Sequence, residues 1–144
     1  MAGLRFRATT GQVACTAATA KTVLQIVAAS NHRVIIPRFS VSFEGVVATD
    51  APIVVDIVIQ TTAGTSSALT LAKDNSEDGE TLQTTAIHTA TVEPTTTTTL
   101  ESRFVHPQTS RDFGPFVIPG GTRLGVRITA ANNVDCIASA AGEE

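Results

Sequence analysis

The residues that could do chemistry in this chain are few and scattered. Asp74-Asn75-Ser76-Glu77-Asp78-Gly79-Glu80 opens like a calcium loop, with Asp74, Ser76, Asp78 and Gly79 in suggestive order. The twelfth position, where a bidentate glutamate belongs, is Thr85, and no helical pattern flanks the segment, so a solvated hairpin loop is expected. His32, His88 and His106 do not stand at metal-ligand spacing from one another, and no His-Glu-x-x-His string occurs. Each reads as a structural or surface residue. No Gly-x-Ser-x-Gly elbow marks a nucleophilic serine. Asp56, Glu93 and Glu101 offer carboxylates for acid–base work, yet nothing singles out a pair. Pro119-Gly120-Gly121 enters a strand pattern, whereas a phosphate loop must enter a helix. The expectation is a protein that is not an enzyme, with no catalytic residue, no metal and no cofactor.

The two cysteines, Cys15 and Cys136, lie near opposite ends of the chain and form no Cys-x-x-Cys pair. Reduced, buried thiols are expected of a chain made in the cytosol. A bridge would need the two Cα atoms within about 7 Å, which neighbouring first and last strands would supply. Charged residues are only 16% of the chain and the net charge is -3, without the basic excess that phosphate neutralisation on nucleic acid requires. No run approaches the ~20 apolar residues of a membrane helix. Arg5 and Arg7 stand where a signal peptide would need its apolar stretch, so no secretion signal is expected.

The elements that must position these residues read as strands. Val, Ile and Thr are abundant, aromatics are 4%, and the β-branched types suit a pleated, half-buried surface. Ile53, Val55, Ile57 and Ile59 alternate with Val54, Asp56, Val58 and Gln60, a period of two that predicts a strand with a partly polar outer face. Over Val34 to Phe43, Ile35, Pro37, Phe39, Val41 and Phe43 are predicted to share a face. Pro37 cannot donate a ladder hydrogen bond and marks an edge or a bulge. Thr22 to Ala28, Leu124 to Thr129 and Val134 to Ala138 are further strands. Ala68 to Ala72, Thr81 to Thr91 and Thr99 to Val105 are fainter ones. Ala14 to Leu24 has the alanine content of a helix, but its threonines argue against one. About eight strands separated by turn clusters predict a single-domain antiparallel β-sandwich of jelly-roll type over residues 13–144. Residues 1–12 form an extended N-terminal arm or an edge strand.

Two segments stand out as interaction elements. Leu4-Arg5-Phe6-Arg7 has the arginines and aromatic residue that anchor interfaces, with Phe6 as the apolar anchor of a docking arm. Thr95 to Thr99 is an uncharged threonine run of high β propensity, expected on a sheet edge or along an intersubunit seam.

The stretch from Thr16 to Ile26 leads into Asn31-His32-Arg33-Val34. It is followed by Gln60-Thr61-Thr62-Ala63-Gly64-Thr65, Leu82-Gln83-Thr84-Thr85-Ala86, Val105-His106-Pro107-Gln108 and Ile118-Pro119-Gly120-Gly121-Thr122-Arg123-Leu124-Gly125. Together these resemble small structural proteins of tailed bacteriophages and prophages, among them jelly-roll head decoration (cement) proteins. The resemblance spans Thr16 to Thr129, and its motifs are turns and strand edges. It implies a homotrimer on the outer surface of the virion, made in the host cytoplasm, that grips the assembled major capsid protein lattice and stabilises the head. It implies no contact with nucleic acid or membrane. Leu4, Arg5, Phe6 and Arg7 become the capsid-contact residues, and Val54, Val58, Thr95, Thr97 and Thr99 the seam between subunits. A tail or fibre component that binds a host-surface ligand is the alternative.

Overall fold

The computed structural model describes residues 3–44 and 51–144, and every regular element in them is a strand. The first strands are β1 (Arg5–Thr9), β2 (Val13–Cys15), β3 (Lys21–Val27), β4 (Val34–Phe43) and β5 (Ile53–Gln60). Next come β6 (Thr65–Leu69), β7 (Ala72–Lys73), β8 (Thr85–Val92) and β9 (Thr96–Val105). The chain ends with β10 (Ser110–Phe113), β11 (Phe116–Ile118), β12 (Arg123–Thr129) and β13 (Val134–Glu143). These thirteen strands replace the expected eight. The surplus consists mostly of pieces two to five residues long, too short to show a period: β2, β6, β7, β10 and β11.

Two antiparallel sheets pack together as a sandwich. Sheet I runs β10-β4-β13-β1-β7, with β11 also on β4 and β2 also on β13; sheet II runs β6-β8-β3-β12-β5-β9. Their facing sides supply one core, including Phe39, Val41 and Ala138 from sheet I and Ile26, Ile57, Leu124 and Val126 from sheet II.

The amino-terminal segment corrects the docking-arm expectation. From Gly3 onward it is not an arm: β1 pairs with β13 along its whole length, Arg5 opposite Glu143 through Thr9 opposite Ser139, and with β7 on its other side. Alternation turns Phe6 inward, where it is fully buried, and Leu4 is buried as well. Phe6 lies across Gly142, and a β-carbon there would fall 2.2 Å from the Phe6 Cζ. Residues 1 and 2 of the expected arm lie outside the described residues.

In β4 the face assignment changes midway. Val34 and Ile36 point into the core and Ile35 outward, whereas Phe39 and Val41 point inward. The phase slips at Pro37–Arg38, where the register with β13 shifts between Ala141 and Glu143. Pro37 thus marks the bulge its missing amide suggests, and the slip puts Ile35 on the opposite face from Phe39. On the other side of β4 the partner breaks at the same level: β10 pairs with residues 39–42 and β11 with 34–36, separated by Gly114 and a cis Pro115.

The β5–β9 pair is a hairpin interrupted by residues 61–95. That insertion sends β6 and β8 to the opposite margin of sheet II and β7 to sheet I. Its two stems run side by side, Thr61 N donating to Thr95 O at 2.9 Å and Thr95 N to Thr62 Oγ1 at 2.9 Å. To reach β8 they must pass β12 and β3, and what they cover decides which outer face stays open.

Candidate interaction surface

Gly125 of β12 faces outward, opposite the inward Leu124 and Val126, and is flanked by Gln25 of β3 and Val58 of β5. With no side chain on Gly125, the Gln60 amide can lie across it; a β-carbon there would fall 2.3 Å from Gln60 Oε1. Gln60 Oε1 accepts from Gln25 Nε2 at 2.6 Å, and Gln60 Nε2 donates to Thr22 Oγ1 at 2.8 Å. Gln25 Nε2 also reaches Thr62 O in one stem at 3.0 Å, while Arg123 donates to Gln25 Oε1 at 3.1 Å. The other stem contributes Glu93, whose carboxylate accepts from Thr22 N at 2.6 Å and Thr22 Oγ1 at 2.8 Å. Gln25, Gln60 and Thr22 are buried, so each amide group has the partner that burial demands. Val58, opposite Gly125, is fully buried too. As folded, Val58 has no exposed surface to offer an intersubunit seam.

Half a strand away the same outer face is open. Val54 is half-buried and pairs with Phe104 of β9, which is 72% exposed; Leu100, at the register shift of β9, is 48% exposed. Thr95, Thr97 and Thr99 are exposed, as a seam requires, and Thr97 Oγ1 donates to Ile59 O at 3.3 Å. Between the apolar residues, Asp56 accepts from Ser102 Oγ at 2.5 Å and from Arg127 at 3.1 Å. Sequence reasoning missed Phe104 and Leu100. Their alternation with Glu101 and Arg103 was readable, but which face met solvent was not.

The remaining candidate residues are held by structural partners. Arg5 and Arg7 project outward and pair with Glu143 at 3.3 Å and Asp74 at 2.9 Å. Lys73 Nζ donates to Asp78 O and Glu80 O, filling the acidic loop with a protein cation. Glu93 clamps Thr22, and Glu101 pairs with Arg103 at 2.5 Å, so with Asp56 the three carboxylates answer to different partners. His88 Nδ1 meets Thr89 Oγ1, and His106 Nδ1 accepts from Gln108 N. Cys15 and Cys136 face each other across β2 and β13 as free thiols with their sulfurs 3.8 Å apart. The Cys136 thiol is held far above its usual range by its hydrogen bond to Cys15 and by burial.

An open cleft of about 410 Å³ is lined by Leu4, His32, Glu80, Thr81, Gln83 and Glu144. Its one strongly engaged group is Glu144, which accepts from Gln83 N at 2.9 Å, Thr84 N at 2.7 Å and Thr84 Oγ1 at 2.5 Å. Burial opposes the carboxylate, but those bonds and the nearby His32 outweigh it and hold Glu144 below the usual range. The carboxylate ties the end of sheet I to the segment entering β8. Among the described residues no group of three or more His, Cys, Asp or Glu could hold a metal ion. The chain matches no protein-family model, no curated protein and no solved structure.

Proposed function

We propose that this chain is a non-enzymatic structural protein of a phage particle, a head-decoration module that binds the assembled capsid lattice as a trimer and stabilises the head. The observation that carries the reading is the order of strand pairing. Setting aside β2 and the 61–95 insertion with its β6, β7 and β8, and taking β10 with β11 as one, the first strand (β1) pairs with the eighth (β13) and the second (β3) with the seventh (β12). The third (β4) pairs with the sixth (β10 and β11), and the fourth (β5) with the fifth (β9). A long two-stranded ribbon wrapped onto itself gives such an order, which supports reading the sandwich as a jelly roll. It supports the sequence resemblance, which independently implies a jelly-roll cement protein.

The working surface in this reading is the open strip of Val54, Leu100, Phe104, Thr97 and Thr99. The strip replaces Phe6 as the apolar anchor, because Phe6 is in the core. Binding only the assembled lattice stabilises it by mass action, and many identical contacts add through multivalency. The test is co-sedimentation of the purified protein with heads lacking it, beside unassembled capsid protein. Saturable binding to heads alone, with gain of heat resistance, is expected, and Phe104→Glu should weaken it. Protein left in the supernatant overturns the proposal. Immunogold label at the tail tip would assign the chain to the tail or fibre class instead.

A further inference from the structure

The four margins of the two sheets are built differently. On sheet I, β7 is two residues long, and β10 and β11 are separated by Gly114 and cis Pro115. On sheet II, β6 is five residues long with an irregular register between Thr65 and Ser67. Short, broken and bulged edges are the usual defences against unwanted strand addition. The remaining margin, β9, is ten residues long, and among the described residues no strand lies beyond it. Its register with β5 is irregular opposite Val58 and Gln60 but unbroken from Glu101 to Val105.

The side chains on either side of Ser102 form a chemical palindrome that runs from Leu100, at the register shift, into that regular part. Leu100 and Phe104 stand two residues to either side of Ser102 and are both exposed, and Glu101 and Arg103 flank it on the face opposite Phe104. We infer that the β9 edge is an interface for a second copy of this chain, adding antiparallel about a two-fold axis at Ser102 to join the two copies of sheet II. In that register Leu100 meets Phe104 of the other copy, and Glu101, which already pairs with Arg103 of its own strand at 2.5 Å, also comes opposite Arg103 of the other copy, twice over. Main-chain hydrogen bonds supply the attraction, and the side chains select the register. A slip of one residue sets the outer face of one copy against the core face of the other. A slip of two sets Glu101 against Glu101, or Arg103 against Arg103, and like charges directly opposed are unfavourable. The exposed Phe104 and Leu100 are covered in the chosen register and left uncovered without it.

A two-fold contact is isologous and closes on itself, so this seam is not a trimer contact, and a copy paired in this way withholds Leu100 and Phe104 from the capsid lattice. The test exploits the palindrome. Glu101→Arg places arginine opposite arginine, and Arg103→Glu places glutamate opposite glutamate, so each variant alone should lose self-association by about tenfold or more. Mixed together, the two variants present arginine to glutamate at both positions and should re-associate as a mixed pair. The double variant E101R/R103E should recover the wild-type state. Sedimentation equilibrium over a concentration series reads all four, and far-UV circular dichroism confirms that each is folded. If a variant fails to fold, a disulfide trap between copies carrying Ser102→Cys reads the same contact. A wild-type chain that stays monomeric, a trimer indifferent to both substitutions, or a mixture that fails to pair overturns the inference.

Discussion

Val54 and Val58 are four residues apart on one side of one strand, and they have opposite fates. Val54 stays half-open beside Phe104, while Val58 is fully buried. The strand, the residue type and the face are the same, so the difference lies in the neighbours: Phe104 at the open end, and Gly125 with the Gln60 amide laid across it at the other. Outward on a strand therefore means only away from the first core. Here a second, polar layer forms where two crossing segments bring their own carbonyl and carboxylate acceptors, Thr62 O and Glu93, down onto Gln25 and Thr22.

The comparison breaks most visibly on paired charge substitutions. Val58→Asp buries a carboxylate with no partner and should cost about 4 kcal/mol or more, or prevent folding. Val54→Asp should cost less than about 1 kcal/mol in the same urea titration. Gln60→Ala removes the partner of Gln25 Nε2 and of Thr22 Oγ1 and leaves a cavity, with a loss of about 2–4 kcal/mol. Gly125→Ala drives a methyl group into the Gln60 amide and should cost about 1–3 kcal/mol. Its cost should shrink in the Gln60→Ala background, a coupling that a double-mutant cycle measures. At the open end, Phe104→Ser should leave stability within about 0.5 kcal/mol of the parent while changing self-association. A large loss of stability there would show the open end to be covered after all.

The class of fold was legible because its signals are local. Period-two alternation along Ile53 to Gln60 and a β-branched inventory need no partner to be read. Pro37 announced a bulge by lacking an amide, yet the face of Ile35 was misjudged, because a one-residue slip inverts everything beyond it. The site was legible only in part. Thr95, Thr97 and Thr99 are exposed and Val54 is half-buried, whereas Phe6 and Val58 are fully buried. Phe6 carries the chemistry of an anchor, but its place is decided by Gly142, some 136 positions further on, which leaves room for the ring. Short strands such as β2 and β11 exist through pairing with β13 and β4 and have no pattern of their own. Gln60 reads as part of an outer polar face, since nothing in the sequence announces the buried amide network it joins.

The pairing of β1 with β13 has a consequence for biogenesis. Arg5 to Thr9 leave the ribosome well ahead of their partners, Ser139 to Glu143, which lie more than a hundred positions further along the chain. At about 5–20 residues per second β1 waits roughly 7–27 s with Phe6 uncovered. Sheet I cannot close before Ser139 to Glu143 have emerged, so β1 is made long before it finds its place.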